Sequence, residues 1–376
     1  MTYKEVENQE ELITLLKSNK VLIKYAFQNL DFSQLNYDLS KLTFNECLFL
    51  GCNLPSSLLQ HCYLNNYIFP ELNMPYNSYI NHLYTKELLY DKYNLGSPES
   101  YTKCLDFKIY DHFIKTGKEA NDIKETLARR LHDHSITDAL YDFLDTFPDD
   151  KKVAIMGGHS LSRASQTYLN VALISKELTE RGYLMISGGG PGAMEATHVG
   201  AWFAGKPTED LQIAMEILIT APSYKDQLWL DTAIKVIETF PNPKYESLGI
   251  PTWLYGHEPP TPFATKIAKY FANSVREDGL LAIAKGGIIF TPGSAGTIQE
   301  IFQDATQNHY LSFDVSSPMI FLDKKYWTIE RPIYTILEQM NNENKYNNLL
   351  LSITDNNNEV INKIEQFKIP DKDLQK

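Results

Sequence analysis

Apolar positions follow one regime before about residue 148 and another after it. From Lys151 onward, short apolar runs alternate with stretches whose apolar residues recur every three or four positions, which predicts strands joined by helices. The strand-like runs are 152–157, 183–187, 212–219, 251–255, 287–291, 318–322 and 349–353. Helical patterns fill most intervals, among them Ala164 to Arg181, Phe263 to Glu277, Thr297 to Gln307 and Pro332 to Met340. Right-handed crossovers then build an α/β domain around a doubly wound, mostly parallel sheet. The stretch 222–262, rich in Pro, Tyr and Trp, is expected as a lid or an interface loop.

The first 148 residues have another texture. A helix is expected from Gln9 to Lys17 and an extended segment from Val21 to Phe27. Phe27, Phe32, Tyr37, Leu42, Cys47 and Cys52 then recur every five residues, as do Phe44, Phe49, Leu54 and Leu59, and Cys62 and Tyr67 rejoin the first series. Five is the period of neither helix nor strand, and it suits a stacked coil whose sides each turn one residue inward. Residues 27 to 67 thus resemble pentapeptide-repeat proteins, although many of that family's small residues are missing; a short solenoid and an irregular β-rich module both fit. Residues 76 to 145 carry helical stripes: Ile80, Leu83, Leu88 and Leu89, then Leu105 to Phe113, then Leu127 to Leu144. The expected organisation is a small β-rich module (1–75), a helical segment (76–148) and the α/β domain (149–376).

Composition narrows the function classes. A net charge of -12 with no Lys/Arg cluster argues against a nucleic-acid groove or an anionic membrane surface. No apolar run approaches the ~20 residues that span a bilayer, and Met1 to Glu7 lacks the basic-then-apolar order of a signal peptide. The expected place is the cytoplasm. Cys47, Cys52, Cys62 and Cys104 form no CxxC pair, so buried reduced thiols are expected in place of a metal site, and no cofactor is called for.

The candidate chemistry lies where strands end. Gly286 to Phe290 is an apolar run that stops at Thr291-Pro292-Gly293-Ser294-Ala295, and a helical pattern opens at Gly296-Thr297 with Glu300 inside its first turn. Ser187-Gly188-Gly189-Gly190-Pro191-Gly192 follows a second strand and leads into Ala193-Met194-Glu195. Gly157-Gly158-His159-Ser160 follows a third. Glycine turns that deliver backbone amides to helix N-termini favour an anion such as a phosphate, and in a parallel sheet such turns converge on one crevice. Neither turn fits G-x-G-x-x-G in register, no G-x-x-x-x-G-K-[ST] occurs, and Gly157 to Ser160 is not a G-x-S-x-G elbow. A monophosphate is therefore favoured over a dinucleotide or triphosphate.

Ser187 to Glu195 and Pro292 to Glu300 together resemble the two signatures of the LOG ("lonely guy") family, Rossmann-like proteins that include nucleotide 5′-monophosphate nucleosidases and cytokinin phosphoribohydrolases. The likeness spans roughly residues 150 to 360. It implies that Gly293, Gly296 and Thr297 bind a ribose 5′-phosphate with help from Gly188, Gly189 and Gly190. It further implies that Glu300 lies beside the ribose and that Arg276, at the end of the 263–277 helix, completes a catalytic pair. A homodimer is implied as well. Ser294 stands where the family's second glycine is usual, and Arg276 lies one residue further than usual from Pro292.

Cleaving a base from a nucleoside monophosphate passes through a sugar with oxocarbenium character, which a carboxylate can stabilise or prepare by deprotonating water. Structural roles compete at each position. Glu300 and Glu195 both suit a helix dipole, Arg276 could pair with Glu277 or Asp278, and Trp229, Trp253 and Tyr255 could stack on a base or fill a core. His198, His257 and His309 are too scattered for zinc. The rival to the enzyme is a non-catalytic nucleotide sensor or carrier with the N-terminal module as its interaction surface. A third reading is a molybdenum-cofactor carrier.

Overall fold

A computed structural model describes residues 2–35 and 38–369, so Tyr37 of the five-residue series lies outside the described residues. The chain divides into two compact units, residues 1–83 with 111–142 and residues 84–110 with 143–376. The stretch 76–148 is thus shared between the units instead of standing apart.

In the first unit, short strands stack in parallel. They are β1 (Lys4–Val6), β2 (Val21–Ile23), β3 (Tyr25–Gln28), β4 (Thr43–Asn45), β5 (Leu48–Leu50) and β6 (Tyr67–Phe69), with helices α1 (Gln9–Ser18) and α2 (Ser56–Cys62) between them. One sheet has the order β1-β3-β5-β6, and β2 pairs with β4. Lys4 faces Tyr25, Ala26 faces Leu48 and Leu48 faces Tyr67, so each coil takes about twenty residues, close to four periods of five. The five-residue rhythm becomes a buried column in which Phe27, Phe32, Phe44, Phe49 and Cys47 pack together. All four cysteines are free thiols.

Three further helices follow: α3 (Lys86–Leu89), α4 (Leu105–Thr116) and α5 (Ile123–Leu144). Ile80 and Leu83, expected on a helix, lie on irregular chain, where Tyr79-Ile80 carbonyls accept from the Gln28 side chain.

The second unit holds a seven-stranded parallel sheet. Its elements are β7 (Lys152–Met156), α6 (Gln166–Glu180), β8 (Leu184–Ser187), α7 (Ala193–Trp202), α8 (Thr208–Leu218), α9 (Trp229–Thr239), β9 (Ser247–Gly249), β10 (Lys266–Ile267), α10 (Asn273–Ile283), β11 (Gly287–Phe290), α11 (Ala295–Tyr310), β12 (Pro318–Leu322), α12 (Ile333–Asn342), β13 (Leu350–Thr354) and α13 (Asn357–Gln366). The order is β10-β9-β8-β7-β11-β12-β13, every pair parallel, which is the expected doubly wound α/β architecture. Every residue of β7, β8, β11 and β12 is buried, as strands covered by helices on both faces must be. The strand order reverses between β7 and β11, and their carboxyl ends mark the switch point where such sheets open a crevice.

Two strand expectations fail for visible reasons. Residues 212–219 are helical, because Leu211, Ala214 and Leu218 are buried at helical spacing and Glu209 and Asp210 favour the first turn of α8. The strand expected at 251–255 lies earlier, in β9, and Trp253–Tyr255 forms a 3₁₀ turn whose Leu254 amide is held by the Thr252 hydroxyl. The helix expected from Phe263 begins only at Asn273. Before it, Ala268 and Tyr270 donate to the Gly249 and Pro251 carbonyls, so the chain runs extended as β10. The expected loop 222–262 contains α9 and β9. Among the described residues, no helix is long and apolar enough to cross a membrane.

Candidate functional site

The carboxyl ends of β7, β8 and β11 open into one cleft of about 400 Å³, within the second unit. Twelve sequence-predicted residues line it: Gly157, Gly158 and His159 after β7; Gly188, Gly190 and Met194 after β8; Arg276; and Ser294, Ala295, Gly296, Thr297 and Glu300 after β11. The two separated glycine turns therefore share a cavity.

At β11 the chain turns directly into α11, whose cap residue Ser294 makes no side-chain hydrogen bond to the first-turn amides. The amides of Ala295, Gly296 and Thr297 are the donors a helix leaves unsatisfied, and they begin a sixteen-residue dipole at the cleft wall. Ser294 has φ -105°, so the replacement of the usual glycine imposes no left-handed backbone here. Glu300 stands one turn beyond Gly296 and so projects on the same side of the helix.

Glu300 is largely buried, and its Oε1 lies 3.8 Å from Arg276 Nη1. Burial pushes its carboxyl up to about 7, against the pull of Arg276 and with a further push from Glu277. Arg276 sits in the first turn of α10, not at the end of a 263–277 helix. Its Nε donates to the Ile250 carbonyl at 2.7 Å, which fixes the guanidinium beside the cleft. Glu277 does not take Arg276; it accepts instead from Asn273 at 2.6 Å and Gln299 at 2.9 Å. Gly188 leaves room for this arginine, since a Cβ there would come within 2.2 Å of Arg276 Nη2.

The remaining predicted residues do not line the cleft. Glu195 is fully buried and accepts from Arg163 through both oxygens, at 2.8 and 2.5 Å, and from the Tyr168 hydroxyl at 2.8 Å. It is a sealed ion pair, not a ligand contact. Ser187 is buried, with its hydroxyl 2.8 Å from His198 Nε2 and accepting from the Gly189 amide at 3.1 Å. The Gly189 carbonyl accepts from Thr261, and the Pro292 carbonyl from Gly158. That last bond consumes the Gly158 amide, so the β7 turn offers fewer donors than its glycines suggest. Gly192 has φ +70° and packs beneath Gly158 and His159. The Gly293 carbonyl accepts from Tyr326, and Ser160 is exposed outside the cleft.

Several lining residues were not legible as site residues: Pro251, Thr252, Glu258, Glu277 and Gln299. Glu258 reaches the wall from the loop after β9, with its Oε1 3.7 Å from His159 Nδ1 and 3.6 Å from His257 Nε2. Of the aromatic candidates, Tyr255 lines the cleft and is half exposed. Trp253 and Trp229 are core residues, the first packed on Phe271 and the second under the Arg163 guanidinium. Among the described residues, no group of three or more His, Cys, Asp or Glu side chains is arranged to hold a metal ion.

No protein-family model and no curated protein matches the chain. Among solved structures, a molybdenum cofactor binding protein from Rippkaea orientalis is similar at 13% identity with a TM-score of 0.33, over 57% of this chain and 96% of that one. The molybdenum cofactor carrier protein from Chlamydomonas reinhardtii is similar at 12% identity with a TM-score of 0.36, over the same shares. Values this low leave the functional reading to the geometry of the cleft.

Proposed function

We propose that the cleft binds a nucleoside 5′-monophosphate and hydrolyses its N-glycosidic bond, releasing free base and ribose 5-phosphate. The observation that carries this reading is the arrangement around Glu300: a largely buried carboxyl 3.8 Å from the Arg276 guanidinium, in the same cleft as an uncapped helix N-terminus, with burial pushing that carboxyl up to about 7. In it the phosphate sits on the Ala295 to Thr297 amides, where the dipole favours an anion. The sugar then extends along α11 toward Glu300, and phosphate binding positions the reacting bond.

A carboxyl titrating near 7 is poised to exchange a proton at neutral pH. Ionised Glu300 takes a proton from water as the water oxygen bonds to the anomeric carbon. The carbon–nitrogen bond breaks, its electron pair goes to the base, and the proton held by Glu300 is passed to the departing nitrogen. Arg276 lies close enough to steady negative charge on that base or on the phosphate.

A second reading uses the same site without chemistry. With its pKa near 7, Glu300 is about half neutral at pH 7, which lowers its repulsion toward a bound phosphate and suits a sensor or carrier. Incubation with a panel of purine and pyrimidine monophosphates, read by chromatography for free base and ribose 5-phosphate, separates the two. Base release from at least one member is expected. Binding without release from any member would sink the enzyme reading and leave the carrier.

A further inference from the structure

The second unit holds another cavity, of about 310 Å³, at the opposite ends of the edge strand β10 and its neighbour β9. The glycine cleft lies at the carboxyl ends of the sheet, whereas this cavity is built around Glu246 and Lys266, at the amino ends of β9 and β10. Three lysines line it from separate segments: Lys86 of α3, Lys244 from the loop before β9, and Lys266. Two carboxylates, Glu87 and Glu246, also line it, so positive charge is in excess although the whole chain carries -12. Lys86 pairs with Glu87 and the Lys244 ammonium helps to hold the Glu180 carboxyl down, while among the described residues Lys266 forms no ion pair.

Two of the lysines lie near aromatic rings, the half-buried Tyr245 and the buried Trp202. Lys86 Nζ stands 5.9 Å from the Trp202 ring centroid and Lys244 Nζ 5.3 Å from that of Tyr245. Pro241 and Pro243 stiffen one wall, and Ala264 and Thr265 lie on another. Gathering ammonium groups is unfavourable unless an anion or aromatic faces offset their repulsion. We infer that this cavity is a second ligand site, for a small anion carrying one planar aromatic ring.

The site is joined to the glycine cleft by a buried hydrogen-bonded chain. Thr265, on the cavity wall, accepts from the Ser247 amide at 2.8 Å and donates to the Ser247 carbonyl at 3.1 Å. The Ser247 hydroxyl lies 2.9 Å from His198 Nδ1, and His198 Nε2 lies 2.8 Å from the Ser187 hydroxyl. Ser187 holds the Gly189 amide and donates to the carbonyl of the cleft residue Met194. Burial brings His198 down to about 3, so the ring is neutral and carries one proton. With Ser187 donating to Met194, that proton belongs on Nε2, and the Ser247 hydroxyl donates to Nδ1. A ligand pressing on Thr265 therefore acts on the turn that shapes the cleft.

The experiment is a calorimetric titration of phenyl phosphate, with cyclohexyl phosphate as the ring-saturated control. Variants Lys244→Met/Lys266→Met and, as a milder change, Lys266→Gln should weaken phenyl phosphate binding at this site at least tenfold and about threefold, respectively. Arg276→Met should leave this binding event unchanged, which separates it from the glycine cleft. Hydrogen exchange across residues 187–192 should shift on phenyl phosphate binding in the wild type, not in Thr265→Val, and again in Thr265→Ser. Absence of a lysine-dependent event, or equal binding of cyclohexyl phosphate, would overturn the aromatic-anion site. Unchanged exchange in the wild type under saturation would overturn its link to the cleft.

Discussion

Two glutamates follow two of the glycine turns of this protein, and their surroundings are opposite. Glu195 gives both oxygens to Arg163 and shares one with Tyr168, out of contact with solvent. Glu300 has Arg276 at 3.8 Å and opens onto the cleft. A bidentate, hydrogen-bonded pair is a satisfied structural unit, while a desolvated carboxyl with one loose partner retains a titratable proton near neutral pH. A glutamate near the start of the helix that follows a glycine turn is thus a brace in one case, three residues into its helix, and a candidate reagent in the other, six residues in.

The contrast can be broken from either side. Glu195→Ala leaves the Arg163 charge buried without a counter-ion, and a loss of about 3–5 kcal/mol in stability by urea denaturation is expected; a change under 1 kcal/mol would deny the brace. Glu300→Gln should reduce base release by about 10²–10⁴-fold, measured under saturating substrate. The same variant should also be more stable than the wild type at high pH. Glu300 is raised from 4.5 to about 7 on folding, so its contribution is fully present below pH 4.5 and is lost as pH rises through 7. Denaturation at pH 4.5 and pH 8 should show the wild type losing up to about 3 kcal/mol relative to Glu300→Gln across that range.

Smaller changes sharpen the picture. Gly188→Ala puts a methyl group 2.2 Å from Arg276 Nη2 and 2.6 Å from Met194 Sδ, so the guanidinium held on Ile250 must shift, and roughly tenfold slower turnover with about 1–3 kcal/mol of destabilisation is expected from paired kinetics and unfolding. Gly296→Ala meets no atom within 4 Å and replaces a helical glycine, so thermal unfolding should report a gain of about 0.5–1 kcal/mol.

Much of this site was legible because its signal is local. A buried apolar run, a glycine turn and a helix start occupy consecutive residues, and Gly188, Gly190, Gly296 and Glu300 all reach the cleft as that order implies. Non-local partners were hidden. Arg163 lies 32 residues before Glu195, so nothing near Glu195 marked it as sealed. Glu258 reaches the wall only because the loop after β9 returns there. Short apolar runs also misled: 212–219 has strand-like composition, yet its buried positions keep helical spacing, and Lys266–Ile267 is too short a strand to show a period. In the first unit, the five-residue rhythm survived because every coil repeats the same inward contact.

The most direct measurement compares wild type and Glu300→Gln for both nucleoside monophosphate binding and release of free base. The expected result is comparable binding in the two proteins with release confined to the wild type. Equal release by both, or none by either despite tight binding, would contradict a reacting role for the open glutamate.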